Sequence, residues 1–125
     1  MIIVDTGVLY AAADRSDPDH DASKELLGVH ATEQLAVPAP VVVETSWLIS
    51  SRLGVAAEVG FLRSIAAGEV TLVDLTSDDW HRVVELLEQY HDLDLGVVDA
   101  SIVAVAERVH SSVREVNAAL GAIVE

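Results

Sequence analysis

The chain contains no cysteine, which excludes a disulfide framework and any thiolate metal site. The same absence favours a reducing compartment, so we expect a cytoplasmic protein. No uninterrupted apolar run reaches about 18 residues, and we therefore expect no segment that crosses a membrane. The first residues also lack the basic region and long apolar stretch of a signal peptide. These absences favour a domain that works in the cell interior.

Basic residues are also scarce. Only 7 of the 125 residues are Lys or Arg, against 21 Asp or Glu, and the formal net charge is −14. Broad, charge-driven binding of nucleic acid needs basic residues that displace counterions, and this composition argues against it. The acidity is compatible with a basic protein partner or with cations collected at one focused site. Aromatic residues make up only 4% of the chain although 51% is hydrophobic, so we expect a core of Ala, Val and Leu.

The hydrophobic pattern predicts one α/β domain over residues 1–125, in which short Val/Ile strands alternate with helices. We expect strands at residues 2–5, 35–37, 70–75 and 113–116. Helices are expected at residues 8–13, 18–29, 41–53, 55–67 and 77–90, and again after residue 96. The fifth of these helices should turn Trp80, Val83, Val84 and Leu87 towards the core.

Three acidic residues follow apolar runs in a way that indicates a site. Asp5 ends the first strand, Glu44 lies in the first turn of the helix predicted at 41–53, and Asp99 opens the apolar segment 97–106. Helix capping and interaction with the helix dipole are the structural alternatives for Asp99 and Glu44. A buried carboxylate otherwise needs a cationic partner, and basic residues are few. A divalent cation is therefore the natural candidate.

Clustered carboxylate oxygens are the ligands that Mg²⁺ and Mn²⁺ prefer. A cation held in this way can activate a water molecule and neutralise charge on a phosphodiester that is being cleaved. Spacing in the sequence does not by itself show that the three acids meet, so metal-dependent phosphodiester cleavage is a hypothesis at this point.

The chain resembles the PIN-domain proteins of the VapC type, the ribonuclease toxins of VapB–VapC toxin–antitoxin pairs. Three segments carry the resemblance, and with the helices between them it spans about residues 1–109. They are residues 2–9 (IIVDTGVL), 37–54 (VPAPVVVETSWLISSRLG) and 90–108 (YHDLDLGVVDASIVAVAER). The last segment is the most specific of them.

The resemblance implies a three-layer α/β/α domain with a short parallel sheet and Mg²⁺- or Mn²⁺-dependent cleavage of RNA. By position, the catalytic and metal-binding acids would be Asp5, Glu44 and Asp99, with Thr6 and Asp92 as accessory residues. The implied partners are an RNA substrate and a VapB-type antitoxin that neutralises the toxin. An antitoxin Arg inserted among the acids would take the place of the metal. A homodimer or a toxin–antitoxin hetero-oligomer is expected on the same ground.

Two departures from the family pattern weaken the expected activity. Gly7 stands where the family commonly has Ser, which removes one polar contact. Residues 109–125 are atypical: after the strand predicted at 113–116 the chain continues through Asn117 to Leu120 and contains no further Asp. The fourth acid and the basic segment of the family are missing, although Asn117 offers a neutral oxygen. We therefore expect weak activity that needs millimolar metal and favours Mn²⁺.

Other classes fit the sequence less well. The triplet Asp5-Thr6-Gly7 also occurs in aspartic proteases, but these need two such aspartates in an all-β scaffold. A phosphoacceptor receiver domain needs a second acid after the first strand and a late Lys, whereas the single Lys is Lys24. The main alternative is a catalytically weakened PIN-like domain that acts as a protein-binding or regulatory module.

Overall fold

A computed structural model describes residues 2–30 and 34–109 of the chain. Three parallel strands form its sheet in the order β1 (Ile2–Ile3), β2 (Leu35–Pro38) and β3 (Thr71–Val73). Ile2 pairs with Leu35, and Ala36 with Thr71. The third strand is shorter than the predicted range 70–75, but its position is as predicted.

Helices cover both faces of the sheet at β1 and β2, whereas Thr71 and Leu72 of β3 are exposed. Successive residues of a strand point to opposite faces, and Ile2 and Ile3 of β1 are both buried, as are Ala36 and Val37 of β2. A parallel sheet buried on both sides is typical of α/β proteins, in which crossover helices cover each face. The predicted α/β/α fold with a short parallel sheet is therefore confirmed.

Six α-helices and one short 3₁₀ helix, His91–Leu93, accompany the strands in the described part of the chain. The α-helices are α1 (Thr6–Ala13), α2 (His20–Val29), α3 (Ala39–Leu53), α4 (Val55–Ala66), α5 (Ser77–Gln89) and α6 (Val97–Val109). Gly54 separates α3 from α4 with a φ of 91°, a left-handed conformation that favours glycine.

Helix α6 packs against other elements on two sides, which explains why its sequence is so apolar. Ile102 and Val105 belong to the main core with β1 and β2. Ala100 and Ala104 belong to a second cluster, which they form with residues of α5. A helix enclosed in this way is hydrophobic over most of its circumference.

The inward face of α5 differs from the one expected. Val83 and Leu86 are buried, whereas Trp80 and Val84 are about half exposed, so the expectation for Trp80 and Val84 was wrong. The capping box at the start of α5 gives the reason. Asp79 is 4% exposed and accepts hydrogen bonds from Thr76 N–H and from Arg108 Nε, so Asp79 occupies the inner side of the first turn.

Helices α1 and α3 are held together near their C-terminal ends. The guanidinium of Arg52 in α3 lies over the ring of Tyr10 in α1, 4.9 Å from its centroid. The Tyr10 hydroxyl donates to Asp14 Oδ2, and Asp14 Oδ1 accepts from the backbone and hydroxyl of Ser16. This cluster fixes the relative position of two helices whose other ends carry acidic residues.

No helix in residues 2–30 and 34–109 is long and apolar enough to cross a membrane. The strand predicted at 113–116, Asn117 and Leu120 lie outside the described residues.

Candidate metal and active site

Asp5 lies at the carboxyl end of β1 and caps the N-terminus of α1. Its Oδ1 accepts a hydrogen bond of 3.1 Å from Val8 N–H. This cap lets α1 begin at Thr6, two residues before the predicted start. Asp5 is 8% exposed, so the cap holds its carboxyl group largely out of contact with water.

Burial is the main reason why the pKa of Asp5 is raised above its ordinary value. The charges of Asp99 and then Glu44 raise this pKa further, while the hydrogen bond from Val8 N–H lowers it. Two acids that are distant in sequence, Asp99 and Glu44, therefore lie close enough to Asp5 to act on it electrostatically. This is the relationship that a shared cation site requires.

Glu44 reaches this region from α3, but from its second turn. The helix begins at Ala39 with Pro40 in its first turn, earlier than predicted, so Glu44 is the sixth helical residue. Pro40 fits there because the first turn of a helix needs no N–H from that residue. Glu44 is exposed, and its Oε2 accepts a hydrogen bond of 3.0 Å from Thr6 Oγ1. The expectation that Glu44 lies in the first turn was wrong, although its proximity to Asp5 was expected.

Asp99 lies in the first turn of α6 and is partly buried. Asp92, the proposed accessory acid, is exposed on the 3₁₀ helix, five residues before α6 begins. The sequence placed Asp92 near the site, but the structure records no contact between Asp92 and the three acids.

The described residues contain no group of three His, Asp or Glu side chains already arranged to hold a metal ion. The donor set nevertheless fits a hard cation, since all three groups offer carboxylate oxygens of the kind that Mg²⁺ and Mn²⁺ take. A cation would draw Glu44 and Asp99 towards Asp5, whose pKa the charges of both already raise.

Comparison with known proteins identifies the family. The model of the family described as PIN domain matches residues 2–113. Ribonuclease VapC26 of Mycobacterium tuberculosis (strain ATCC 25618 / H37Rv) is 34% identical over 107 residues, which cover 86% of this chain and 78% of the relative. The chain belongs to the PIN-domain family, in its VapC type.

The fold of this PIN domain also matches a solved structure. The Mycobacterium tuberculosis toxin VapC20, which cleaves the sarcin–ricin loop, superposes with a TM-score of 0.82. The match covers 89% of this PIN domain and 85% of the toxin, at 24% sequence identity. At that identity the match supports the shared fold.

The sequence did not indicate a second surface of this PIN domain, a groove between α3 and α4. Trp47 is 66% exposed and Val43 68%, and they lie four residues apart on one face of α3. Together with five further residues they line a cavity of about 360 Å³: Val42, Ser46, Ser50, Glu58 and Leu62. The signal in the sequence was the spacing of Val43 and Trp47, which places both away from the buried side of α3.

Proposed function

We propose that this chain is a metal-dependent endoribonuclease toxin of the VapC type, neutralised by a VapB-type antitoxin. The observation that carries the proposal is the position of Asp5 as the cap of α1 next to Thr6, whose hydroxyl binds Glu44. The charges of Asp99 and Glu44 both raise the pKa of Asp5, which agrees with this proximity. The identity to a protein named as a ribonuclease gives independent support for the reaction.

Asp5, Glu44 and Asp99 would hold Mg²⁺ or Mn²⁺ in this proposal. When bound, the cation would supply charge neutralisation at the phosphodiester and favour loss of a proton from the attacking water. Asp5 is fixed by the α1 cap, and Thr6 orients Glu44. Ligands fixed in this way lose little freedom when the cation binds.

The acidity of the site also supports the antitoxin proposal. A partner Arg placed among Asp5, Glu44 and Asp99 would satisfy carboxylates that otherwise repel one another, through charge-assisted and often bidentate hydrogen bonds. Such an association would be fast at low salt and slow as salt rises. This part of the proposal would be contradicted if the affinity for the antitoxin changed neither with ionic strength nor with charge reversal at the three acids.

RNA cleavage by the purified chain tests the function. Unfractionated cellular RNA is incubated with the protein and Mg²⁺ or Mn²⁺ from micromolar to millimolar concentration, and the new ends are mapped by sequencing. We expect weak cleavage that needs millimolar metal, favours Mn²⁺ and is abolished by Asp99→Asn. The matched control is Asp78→Asn, which removes the same charge from an exposed position in α5.

An absence of RNA cleavage would refute the proposed enzyme activity. The enzyme proposal fails if neither the wild-type chain nor Asp99→Asn cleaves RNA at about 10–20 mM metal. That concentration is roughly ten times what a hard-oxygen site of millimolar affinity needs. The chain would then act as the binding or regulatory module that the sequence left as the alternative.

A further inference from the structure

The groove between α3 and α4 is lined by one aromatic residue, Trp47, and one acidic residue, Glu58. Trp47 leaves two thirds of its surface uncovered by the rest of the chain. Val43 and Leu62 add apolar surface to the same groove, and the carboxyl group of Glu58 also lines it. A purely apolar ligand would not complement a groove that contains both an exposed aromatic ring and a carboxyl group.

Glu58 has one polar partner in the groove. Its Oε2 accepts a hydrogen bond of 2.6 Å from the hydroxyl of Ser46, which is 7% exposed. None of the ion pairs within residues 2–30 and 34–109 involves Glu58. A carboxylate can accept about four hydrogen bonds, so most of its capacity is available to a donor that enters the groove.

We infer that this groove is a binding site for an arginine side chain of a partner polypeptide. A guanidinium is planar, stacks on aromatic faces and donates two parallel hydrogen bonds to a carboxylate. Trp47 offers the face and Glu58 the carboxylate, while Val43 and Leu62 offer apolar surface to the aliphatic stem. The groove therefore matches each part of one side chain.

Charge excludes the other occupants of this groove. A purely apolar ligand would remove water from Glu58 and add no donor to the one that Ser46 supplies, which is unfavourable. An RNA phosphate would be repelled by Glu58 and by the net charge of −14. A second copy of the chain would add another −14, and it carries only six Arg residues. A basic segment of another protein is the complementary partner.

The inference goes beyond the proposed ribonuclease activity and does not depend on it. Trp47 lies three residues after Glu44, so the two are neighbours on the surface of α3. A partner anchored by this arginine would stand beside the candidate metal site without entering it. A basic partner could then contact this chain twice, once in the groove and once at the three acids.

NMR can test this site because the chain has only two tryptophans, Trp47 and Trp80. Their indole N–H signals are followed at low salt while N-acetyl-arginine amide is added. We expect a saturable shift of the Trp47 signal with a dissociation constant in the millimolar range, and no comparable shift of Trp80. Trp80 lies on α5 and is 47% exposed, so it serves as an internal control for weak stacking.

Matched variants identify the role of the carboxylate. Glu58→Gln retains an acceptor for Ser46 and should weaken arginine binding by about tenfold, as expected for loss of a charge-assisted hydrogen bond. Glu69→Gln, which removes an exposed acid outside the groove, should bind as the wild type does. N-acetyl-norleucine amide, which has no cationic head, should bind more weakly than the arginine derivative.

Three results with the small-molecule probes would each overturn the inference. They are equal shifts of both indoles, equal affinity of Glu58→Gln and Glu69→Gln, and norleucine binding as tight as arginine binding. A Trp47 shift caused by oligouridylate but not by the arginine derivative would assign the groove to RNA and would also overturn it. Because no arm measures cleavage, a failure of the ribonuclease proposal leaves this test unaffected.

Discussion

The Thr6 hydroxyl donates a 3.0 Å hydrogen bond to Glu44 Oε2 across 38 residues of sequence. Thr6 is the first residue of α1, directly after the cap Asp5, whereas Glu44 comes from the second turn of α3. The bond therefore links the helix that begins at one candidate metal ligand to the helix that carries another. It restricts the Glu44 carboxylate to a position facing the N-terminus of α1.

We predict that Thr6→Val weakens metal binding without unfolding the chain. The substitution keeps the shape of the side chain but removes the hydroxyl that orients Glu44. Loss of an orienting partner of a metal ligand costs about 10–100-fold in affinity, and we expect a value near the lower limit because the bond is exposed. Calorimetric titration with Mn²⁺ measures it, with Thr6→Ser as the control that retains the hydroxyl.

Asp5→Asn should stabilise the metal-free protein at neutral pH. The pKa of Asp5 is raised in the folded state, chiefly by burial, so ionisation of Asp5 opposes folding above that pKa. Asn keeps an oxygen for the α1 cap and carries no charge. Urea unfolding should show the variant to be more stable at pH 7, with a gap that narrows as pH falls towards about 4, the ordinary range of aspartate.

The same substitution should have the opposite effect when metal is present. Mn²⁺ stabilises a protein that binds it only in the folded state, so the wild type should gain in melting temperature and Asp5→Asn should not. A variant that is less stable than the wild type at pH 7 without metal would contradict the assignment of Asp5 as a destabilising buried charge.

Gly7→Ser should increase both stability and metal affinity. A Cβ at Gly7 would lie 3.7 Å from Asp5 Oδ1, which is an ordinary contact distance, so the added side chain fits. Replacing a helical glycine gains about 0.5–1 kcal/mol. The control Gly7→Ala should gain at least as much stability, because Ala has the higher helix propensity. It should leave metal affinity unchanged, because only the serine hydroxyl adds a polar contact near Asp5. Equal metal affinity in both variants would show that the hydroxyl does not reach the site.

Two arginines on neighbouring elements should differ in their importance for stability. Arg108 Nε donates to both oxygens of the buried Asp79, so Arg108→Met leaves a carboxylate short of donors and should cost about 1–2 kcal/mol. Arg82→Met breaks pairs with the exposed Glu85 and Glu107 and should cost less than about 1 kcal/mol. Urea unfolding of both variants measures the difference, and equal losses would contradict the burial argument.

The sequence by itself determined the α/β class, the order of the elements in residues 2–109 and the three acids proposed as ligands. These features depend on local signals. Asp5 marks the end of the first strand, and Gly54 marks the end of a helix. The enclosed helix α6 is marked by apolar residues around most of its circumference. Membership of the PIN-domain family followed from the same segments and is shown by the comparisons.

The tertiary structure decided the features that depend on contacts between distant residues. The sequence placed Glu44 in a first turn and Trp80 in the core, because neither the early start of α3 at Ala39 nor the inward position of Asp79 is visible in local periodicity. The groove around Trp47 and Glu58 likewise exists only because α4 folds back against α3. Spacing along the chain sets which face of a helix a residue occupies, but packing against other elements sets which face is buried.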